Sequence, residues 1–524
     1  MREEIRIPKP TLLSETRAEN LWGSVGEPAV ALQRPSAPPA SGAREFVLDT
    51  AVVAAAQFLL KFRGLIAIPL IVKILGTAQY GVWVQTLALI DFSASLAGLN
   101  LYHPLVRFLA EKPARGKSIY STLMTATAAV SLAGSVVVFV TADAISRFIL
   151  GDAAYGWHIR AAAILVLCYN VRLFNFNAYR ATGRLKERSL VELLSTFGLL
   201  LSISLLLWNG RGLLQVFIFM AVWESVLALA LTLHLSRIVG WGPLDTELLR
   251  TALRYALPLI PAGLSIWMLD RGDRLVIGFY LGPKAVGIYS ANYAIAGLLM
   301  IFQTPLQMTL FPKVSALWES NRASALRYIS VSNKLFLTFA IPFVIGFPFL
   351  SGKFLSRIGN AEIGAGGALL TFLIGAGVLM WGVSVMQSQI FFGARRTMAI
   401  GIVTVAAAIL NLVLNLLLVP VWGMEASAFS TLISYFLTCA VLFYLSRHIA
   451  RLNFHWRHIM KCVAGALLMA VVLKLMSGLA APLVLSVAAG AITYFAVLWL
   501  LRAIGPVEKE WLRSLMRRPA TVEE

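Results

Sequence analysis

Charge is scarce in this chain. Only 13% of its 524 residues are Asp, Glu, Lys or Arg, about half the share of a soluble globular domain. That deficit excludes a soluble enzyme and a disordered regulator. Cysteine is scarcer still. Cys168, Cys439 and Cys462 each lie in an apolar stretch without ligand-like spacing, which argues against a disulfide scaffold and reads as packed thiols. His448, His455 and His458 share a basic loop without carboxylate or cysteine neighbours, so no metal site is expected. No Walker loop, dinucleotide fingerprint or nucleophile elbow occurs. No loop is long enough to hold a catalytic or nucleotide-binding domain. The chain is read as not an enzyme and as needing no cofactor.

What is abundant is apolar surface: 59% of residues are hydrophobic and the mean hydropathy is +0.78. At about 20 residues per span, this leaves room for roughly 12–14 transmembrane helices and little else. The expected fold is therefore an all-α integral membrane protein. Fourteen helices are predicted near 47–74, 81–102, 119–142, 158–181, 190–208, 213–235, 256–280, 287–311, 330–350, 366–392, 398–419, 426–446, 459–479 and 482–502. Basic residues outnumber acidic ones 45 to 25 and cluster in alternate loops, as in Arg180/Arg184/Lys186/Arg188, Arg395/Arg396 and Arg447/Arg451/Arg457. With an even number of spans, that alternation places both termini in the cytoplasm. The charge is thus assigned to the membrane surface rather than to nucleic acid. Residues 1–45 lack an apolar core and are expected to form a disordered cytoplasmic tail without a cleavable signal peptide. Trp83, Trp157, Trp241, Trp381 and Trp422 are assigned to interfacial aromatic belts.

A weak repeat divides the spans. Ile74-Leu-Gly-Thr-Ala-Gln-Tyr-Gly-Val-Trp83 recurs as Tyr280-Leu-Gly-Pro-Lys-Ala-Val-Gly-Ile-Tyr289, an offset of 206 residues that pairs Gly76 with Gly282 and Gly81 with Gly287. The four glycines suit tight turns between helices. Six helices separate the two copies, so the repeat is parallel, related by an axis along the membrane normal. Two six-helix lobes follow, residues 46–236 and 237–447, then two further helices in 448–503 and a cytoplasmic tail over 504–524.

Two stretches carry a family resemblance. One is Ala256-Leu-Pro-Leu-Ile-Pro-Ala-Gly-Leu with Leu269-Asp-Arg and Val286-Gly-Ile-Tyr-Ser290. The other is Asn411-Leu-Val-Leu-Asn415 with Pro420-Val-Trp-Gly423 and Thr431-Leu-Ile-Ser-Tyr435. Across residues 47–502 the chain resembles polysaccharide-biosynthesis flippases, the O-antigen (Wzx-type) group of the multidrug/oligosaccharidyl-lipid/polysaccharide (MOP) exporter superfamily. It departs from the family's Gly-x-x-Gly-Ala-Ala, reading Gly423-Met-Glu-Ala426-Ser-Ala428. The resemblance implies a bacterial inner-membrane protein that moves a polyprenyl-diphosphate-linked oligosaccharide to the periplasmic leaflet by alternating access. A polysaccharide polymerase or export machinery is the further partner implied, and a monomer the expected state.

Ionisable residues at mid-span supply the candidate site. Each costs at least about 2.5–3.5 kcal/mol at a helix centre, so it faces a cavity or a partner. Lys61 and Arg63 lie in the first helix, about 200° apart around it. Arg172, Asn175 and Tyr179 follow one another at helical spacing in the fourth. The seventh carries Asp270-Arg271-Gly-Asp273-Arg274. The reading assigns Lys61, Arg63, Arg172, Arg271 and Arg274 to the diphosphate, because fixed cations replace its lost hydration and the guanidinium fork matches phosphate oxygens. Asn175 and Tyr179 are assigned to sugar hydroxyls. Asp91, Glu224, Asp270 and Asp273 are coupling or ion-pair candidates, and Asp270 with Arg274 is a candidate structural pair. The excess of cations favours an anionic substrate over the cationic drugs of an antiporter of the same superfamily. A lipid II flippase stays open as an alternative. A membrane polymerase or ligase is a more distant one, since the outer loops are short.

Overall fold

The computed structural model describes residues 55–503 except 57, 61, 453–454 and 480. The expected tails at 1–45 and 504–524, and Lys61, lie outside the described residues.

Every described element is helical. α1 (Arg63–Leu75) and α2 (Thr77–Ala97) meet at Gly76. Its φ of 87° and ψ of 170° fall in a region that essentially only glycine occupies. α3 (Tyr102–Glu111) turns 45° away from α2. α4 (Gly116–Val140), α5 (Gly156–Ala163) with α6 (Leu165–Ala181), α7 (Leu185–Trp208) and α8 (Leu213–Val239) follow. α9 (Thr246–Ala256) is a short polar helix capped by Asp245, whose carboxylate accepts from the Leu248 N–H. Asp245 also pairs with Arg115 at 2.6 Å.

α10 (Ile260–Trp267) runs through a π-helical turn at Met268–Gly272 into α11 (Asp273–Ala296). Inside α11, Gly282 repeats the conformation of Gly76, with φ 78° and ψ 175°. Pro283 follows, and its fixed φ suits the first turn of the helix that resumes there. The remaining elements are α12 (Met300–Ser320), α13 (Arg322–Gly346), α14 (Pro348–Ile358), α15 (Gly367–Gly393), α16 (Thr397–Trp422), α17 (Met424–Ser446), α18 (Trp456–Gly478) and α19 (Leu483–Leu500).

Among the described residues 11 helices are long and apolar enough to cross a membrane, or 12 if α2 and α3 form one bent span. The chain is a multi-pass membrane protein. The difference from the expected fourteen has two sources. Predicted helices seven and eight fall within one helical stretch of 75 residues, Thr246–Ser320. At 1.5 Å per residue it is about 110 Å long, several times a bilayer core of about 30 Å, so it is no single span. The first predicted helix is described as an element only from Arg63.

The distribution of polarity is that of a protein solvated by lipid. Leu194, Leu201 and Trp208 on α7 are exposed, while Asn170, Asn175, Asn411 and Asn415 are buried. Between α16 and α17, Ser427 donates to Asn415 at 2.6 Å, and Ala426 and Ala428 are buried against their neighbours. The departure from Gly-x-x-Gly-Ala-Ala therefore leaves this packing close. Trp83 is a correction: it is buried and stacks on Phe217, so it forms no interfacial belt.

The two repeat turns touch. α2 and α11 approach so closely that a Cβ on Gly81 would lie 1.7 Å from the Pro283 carbonyl oxygen, and one on Gly287 would lie 2.4 Å from that of Thr77. The same end is held by reciprocal hydrogen bonds between Thr77 and Asn360, at 3.2 and 3.0 Å. Phe148 packs on Phe279 with ring centroids 4.7 Å apart.

Candidate substrate cavity

Away from the glycine turns the helices part. A cavity of about 680 Å³ extends from the level of Arg271 toward Asn100, Tyr102 and Ile260. A second, of about 320 Å³, lies among α1, α2, α6, α7 and α8. Asp91, Tyr169, Arg172 and Arg271 line both, so the two arginines stand where the cavities adjoin.

The cations reach this position by different local routes. Arg172 projects from the middle of α6, with its guanidinium 5.0 Å from the centre of the Tyr169 ring. Arg271 sits in the π turn Met268–Gly272. One extra residue per turn rotates the following chain, a feature common at functional sites. Arg274, one turn on, lies over the Tyr293 ring at 4.5 Å and lines the smaller cavity. Arg63 lines that cavity from α1.

Each of the three inner arginines has a carboxylate partner. Arg172 Nε is 3.2 Å from Glu224 Oε2. Arg271 contacts Asp91 across from α2, with Asp270 at 3.3 Å. Arg274 is 3.0 Å from Asp273, a buried carboxylate that also accepts from the Tyr289 hydroxyl at 2.5 Å. Arg63 is exposed and forms no ion pair among the described residues. Four arginines thus face four carboxylates, and the expected excess of cations is absent among the described residues.

Several assignments made from sequence change place. Asn175 is fully buried, accepts from Tyr120 at 2.8 Å and donates to Thr232 at 2.9 Å. Tyr179 is buried in a separate apolar cluster with Tyr120 and Phe174. Neither lines the cavity, because the face of α6 beyond Arg172 turns into packing against α4 and α8. Asp270 and Arg274 are not a side-chain pair: Arg274 donates to the Asp270 backbone carbonyl, and its carboxylate partner is Asp273. Asp91 and Glu224, the coupling or ion-pair candidates, stand within α2 and α8 at the cavity wall. His458 does have a cysteine neighbour, its Nε2 lying 3.3 Å from the Cys462 sulfur one turn on. Among the described residues no group of three His, Cys, Asp or Glu side chains is placed to hold a metal ion.

Other residues join the site unannounced. Trp381, assigned to an interface, lies mid-way along α15, lines the larger cavity and packs on Tyr435 at 5.1 Å. Tyr435 in turn donates to the Leu269 carbonyl at 2.9 Å, bracing the π turn. Trp267 also lines the cavity, and its buried indole N–H has no acceptor among the described residues. An arrangement of guanidinium groups beside indole and phenol rings suits an anion joined to a sugar, because such rings pair an apolar face with a polar edge. A third cavity of about 450 Å³ is almost wholly apolar. Phe302, Phe343 and Phe347 wall one side, and Leu473 of α18 with Val487 of α19 the other.

Comparisons with known proteins give the family and the fold. Residues 46–318 match the family described as polysaccharide biosynthesis protein. Over 410 residues the chain is 22% identical to the "Probable low-salt glycan biosynthesis flippase Agl15" of Haloferax volcanii, spanning 76% of this chain and 83% of that one. Among solved structures it is similar to lipid II flippase MurJ in its inward closed conformation, with TM-score 0.71 and 13% identity over 89% of this chain and 100% of that one. A multidrug resistance MATE family transporter of the MOP superfamily, facing inward, matches with TM-score 0.60 and 16% identity over 76% and 97% of the two chains. At these identities the two structures establish a common fold.

Proposed function

This chain belongs to the polysaccharide biosynthesis protein family, and we propose that it is a flippase for a polyprenyl-diphosphate-linked oligosaccharide. The substrate crosses from the cytoplasmic to the outer leaflet of the plasma membrane, in a bacterium the inner membrane, for surface polysaccharide assembly. The observation that carries this reading is the position of Arg172 and Arg271, half-buried where both cavities adjoin. A diphosphate has to shed water at that depth, and paired guanidinium forks replace that hydration with fixed donors. The name of the Haloferax relative supports the class of substrate.

In this reading the diphosphate sits at Arg172 and Arg271, with Arg63 and Arg274 beside it. The glycan extends along Trp267 and Trp381, and the polyprenyl tail lies in the apolar groove between α13 and α19. With both termini in the cytoplasm, the cavity opens toward the basic loops while the Gly76/Gly282 end is closed to the outside. Rocking of the two lobes around the cavity parts the Gly81–Pro283 contact and exchanges these states. The protein works as a monomer, beside the polymerase and export machinery that use its product.

The test is translocation in liposomes. Purified protein reconstituted with a labelled polyprenyl-diphosphate oligosaccharide is expected to speed its exposure to an impermeant sugar-modifying enzyme. No acceleration over empty liposomes with several glycans, from folded protein, would overturn the reading. Export of cationic dyes by the same liposomes would instead favour the drug antiporter.

A further inference from the structure

The arginines of this cavity are already engaged, and that has a chemical consequence for any anion that binds them. Arg172 meets Glu224 through Nε at 3.2 Å, so a phosphate that draws its fork into the cavity pulls it away from that carboxylate. Arg271 is drawn from Asp91 in the same way. The fates of the two carboxylates differ. The Asp91 and Asp270 side chains keep 26% and 57% of their surface exposed, so once Arg271 moves off they stay in contact with water. The Glu224 side chain keeps 5%. Its Oε2 takes no hydrogen bond from any group among the described residues, which leaves attraction to Arg172 as its main support there. A buried carboxylate that loses its one partner takes up a proton rather than remain charged.

We infer that Glu224 is a proton acceptor and that the cavity takes up one proton as it takes in the diphosphate, an inference that rests on the reading of the cavity given above. The exchange balances. The Arg172–Glu224 ion pair opens, a phosphate oxygen takes the place of the carboxylate at the guanidinium, and one proton from the solvent on the open side forms the carboxyl O–H of Glu224. When the anion leaves on the far side, the proton dissociates there and Glu224 returns to Arg172. The anion therefore crosses with a proton, and a pH gradient acid on the loading side drives it.

Among the described residues, the groups that face Glu224 leave it no other acidic or basic partner at contact. α6 presents Arg172 with Tyr169 and Cys168, and α1 presents Arg63. Across the cavity stand Asp91, Arg271 and Arg274. Ser195 and Thr196 of α7 carry no charge. Arg63, which is exposed and has no ion-pair partner among the described residues, can follow the phosphate without freeing one of their carboxylates. Asp273 is held by both Arg274 and Tyr289 and stays in place.

The probe is a short-chain prenyl-diphosphate sugar. Each of its phosphates carries one ester and one anhydride bond and keeps a single, strongly acidic ionisable oxygen, so the probe has no proton of its own to gain or lose near neutral pH. Binding to the purified full chain is measured by titration calorimetry at pH 7 in two buffers of different ionisation enthalpy. Wild type is expected to absorb about one proton per probe bound and to bind up to about tenfold more tightly per unit fall in pH. Glu224→Gln is expected to bind with no buffer dependence and a flat pH profile. Infrared difference spectra of the wild type should gain a protonated-carboxyl band on binding, a readout that needs no variant to fold. Tight binding without proton uptake in the wild type would overturn the inference while leaving the diphosphate site standing. Equal uptake in Glu224→Gln would overturn it too. A wild type that fails to bind the probe at all would overturn the cavity reading itself, and the inference with it.

Discussion

Gly81 of α2 lies against Pro283 of α11, so close that a Cβ on the glycine would stand 1.7 Å from the Pro283 carbonyl oxygen. The repeat offset carries Gly81 onto Gly287 and Thr77 onto Pro283, and the contact it generates, Gly287 with Thr77, is also present. The two contacts are images of each other about a local two-fold axis. Gly81→Ala or Gly287→Ala is therefore expected to force the helices apart at a place where no flexible side chain can yield. Over-packing of this kind costs about 1–3 kcal/mol. Thermal unfolding in detergent should show that loss, while Gly401→Ala, where an added Cβ meets nothing within 4 Å, stays within about 0.5 kcal/mol of wild type.

Arg172 is expected to matter twice, for transport and for the support of Glu224. Arg172→Ala should abolish flipping and also lower stability by about 3 kcal/mol or more, since it strips a buried carboxylate of its partner. The double variant Arg172→Ala/Glu224→Gln should regain much of the stability and none of the transport. Arg172→Lys should recover transport only in part, because the charge survives but the two-pronged fork does not. Flipping rates and unfolding midpoints measured on the same three proteins separate the two roles. Full transport by the double variant would remove Arg172 from the site.

How much of this was legible in the sequence depends on which link is asked about. Gly76 and Gly282 were legible because a positive φ leaves a mark in residue type. So were the depths of Arg172 and Arg271, because charge in an apolar run stands out. The pairing was not. Asp91 and Arg271 are 180 positions apart, and hydropathy does not say how two helices are rotated toward each other. Asn175 and Tyr179 follow Arg172 at spacings of three and seven and so share its face by periodicity. The partners that claim Asn175, Tyr120 and Thr232, come from helices whose register no local pattern reveals. Trp381 misled for the opposite reason: the residue type suits an interface, and only its place between Tyr435 and the cavity shows otherwise.

The closed end of the molecule should be lockable. Thr77 and Asn360 exchange hydrogen bonds from opposite halves of the chain. In a background lacking the three native cysteines, Thr77→Cys/Asn360→Cys is expected to form a disulfide on mild oxidation, stop flipping, and recover when reduced. Unimpaired flipping by fully cross-linked protein would show that this end does not open during transport.

The same end carries a pH-sensitive link. Lys284 hydrogen-bonds the exposed Glu362 carboxylate at 2.8 Å and, with a contribution from Thr77, holds it below the usual carboxylate range. A depressed value means the link is present above the unfolded value of Glu362. It is lost as pH falls through the lower folded one. Acidification on this side is thus expected to speed labelling of Thr77→Cys, in the background lacking the three native cysteines and relative to a free thiol at the same pH, and Glu362→Gln to give the faster relative rate already at neutral pH. The effect should be modest and shrink with salt, as for any exposed pair.

Asn175 supplies the opposite kind of test, a polar residue in a transport helix that serves the fold. It is fully buried, and its carbonyl and amide ends are both occupied, by Tyr120 and Thr232. Asn175→Ala leaves the Tyr120 hydroxyl without its acceptor in a water-poor interior, a loss of about 1–3 kcal/mol. The unfolding midpoint should fall accordingly. Affinity for the prenyl-diphosphate sugar should not change, since the side chain faces α4 and α8 rather than the cavity. Asn175→Asp should be worse than Ala, because it buries a charge with no cation facing it. If Asn175→Ala instead weakened binding at unchanged stability, the face of α6 that meets substrate would have to extend a full turn beyond Arg172.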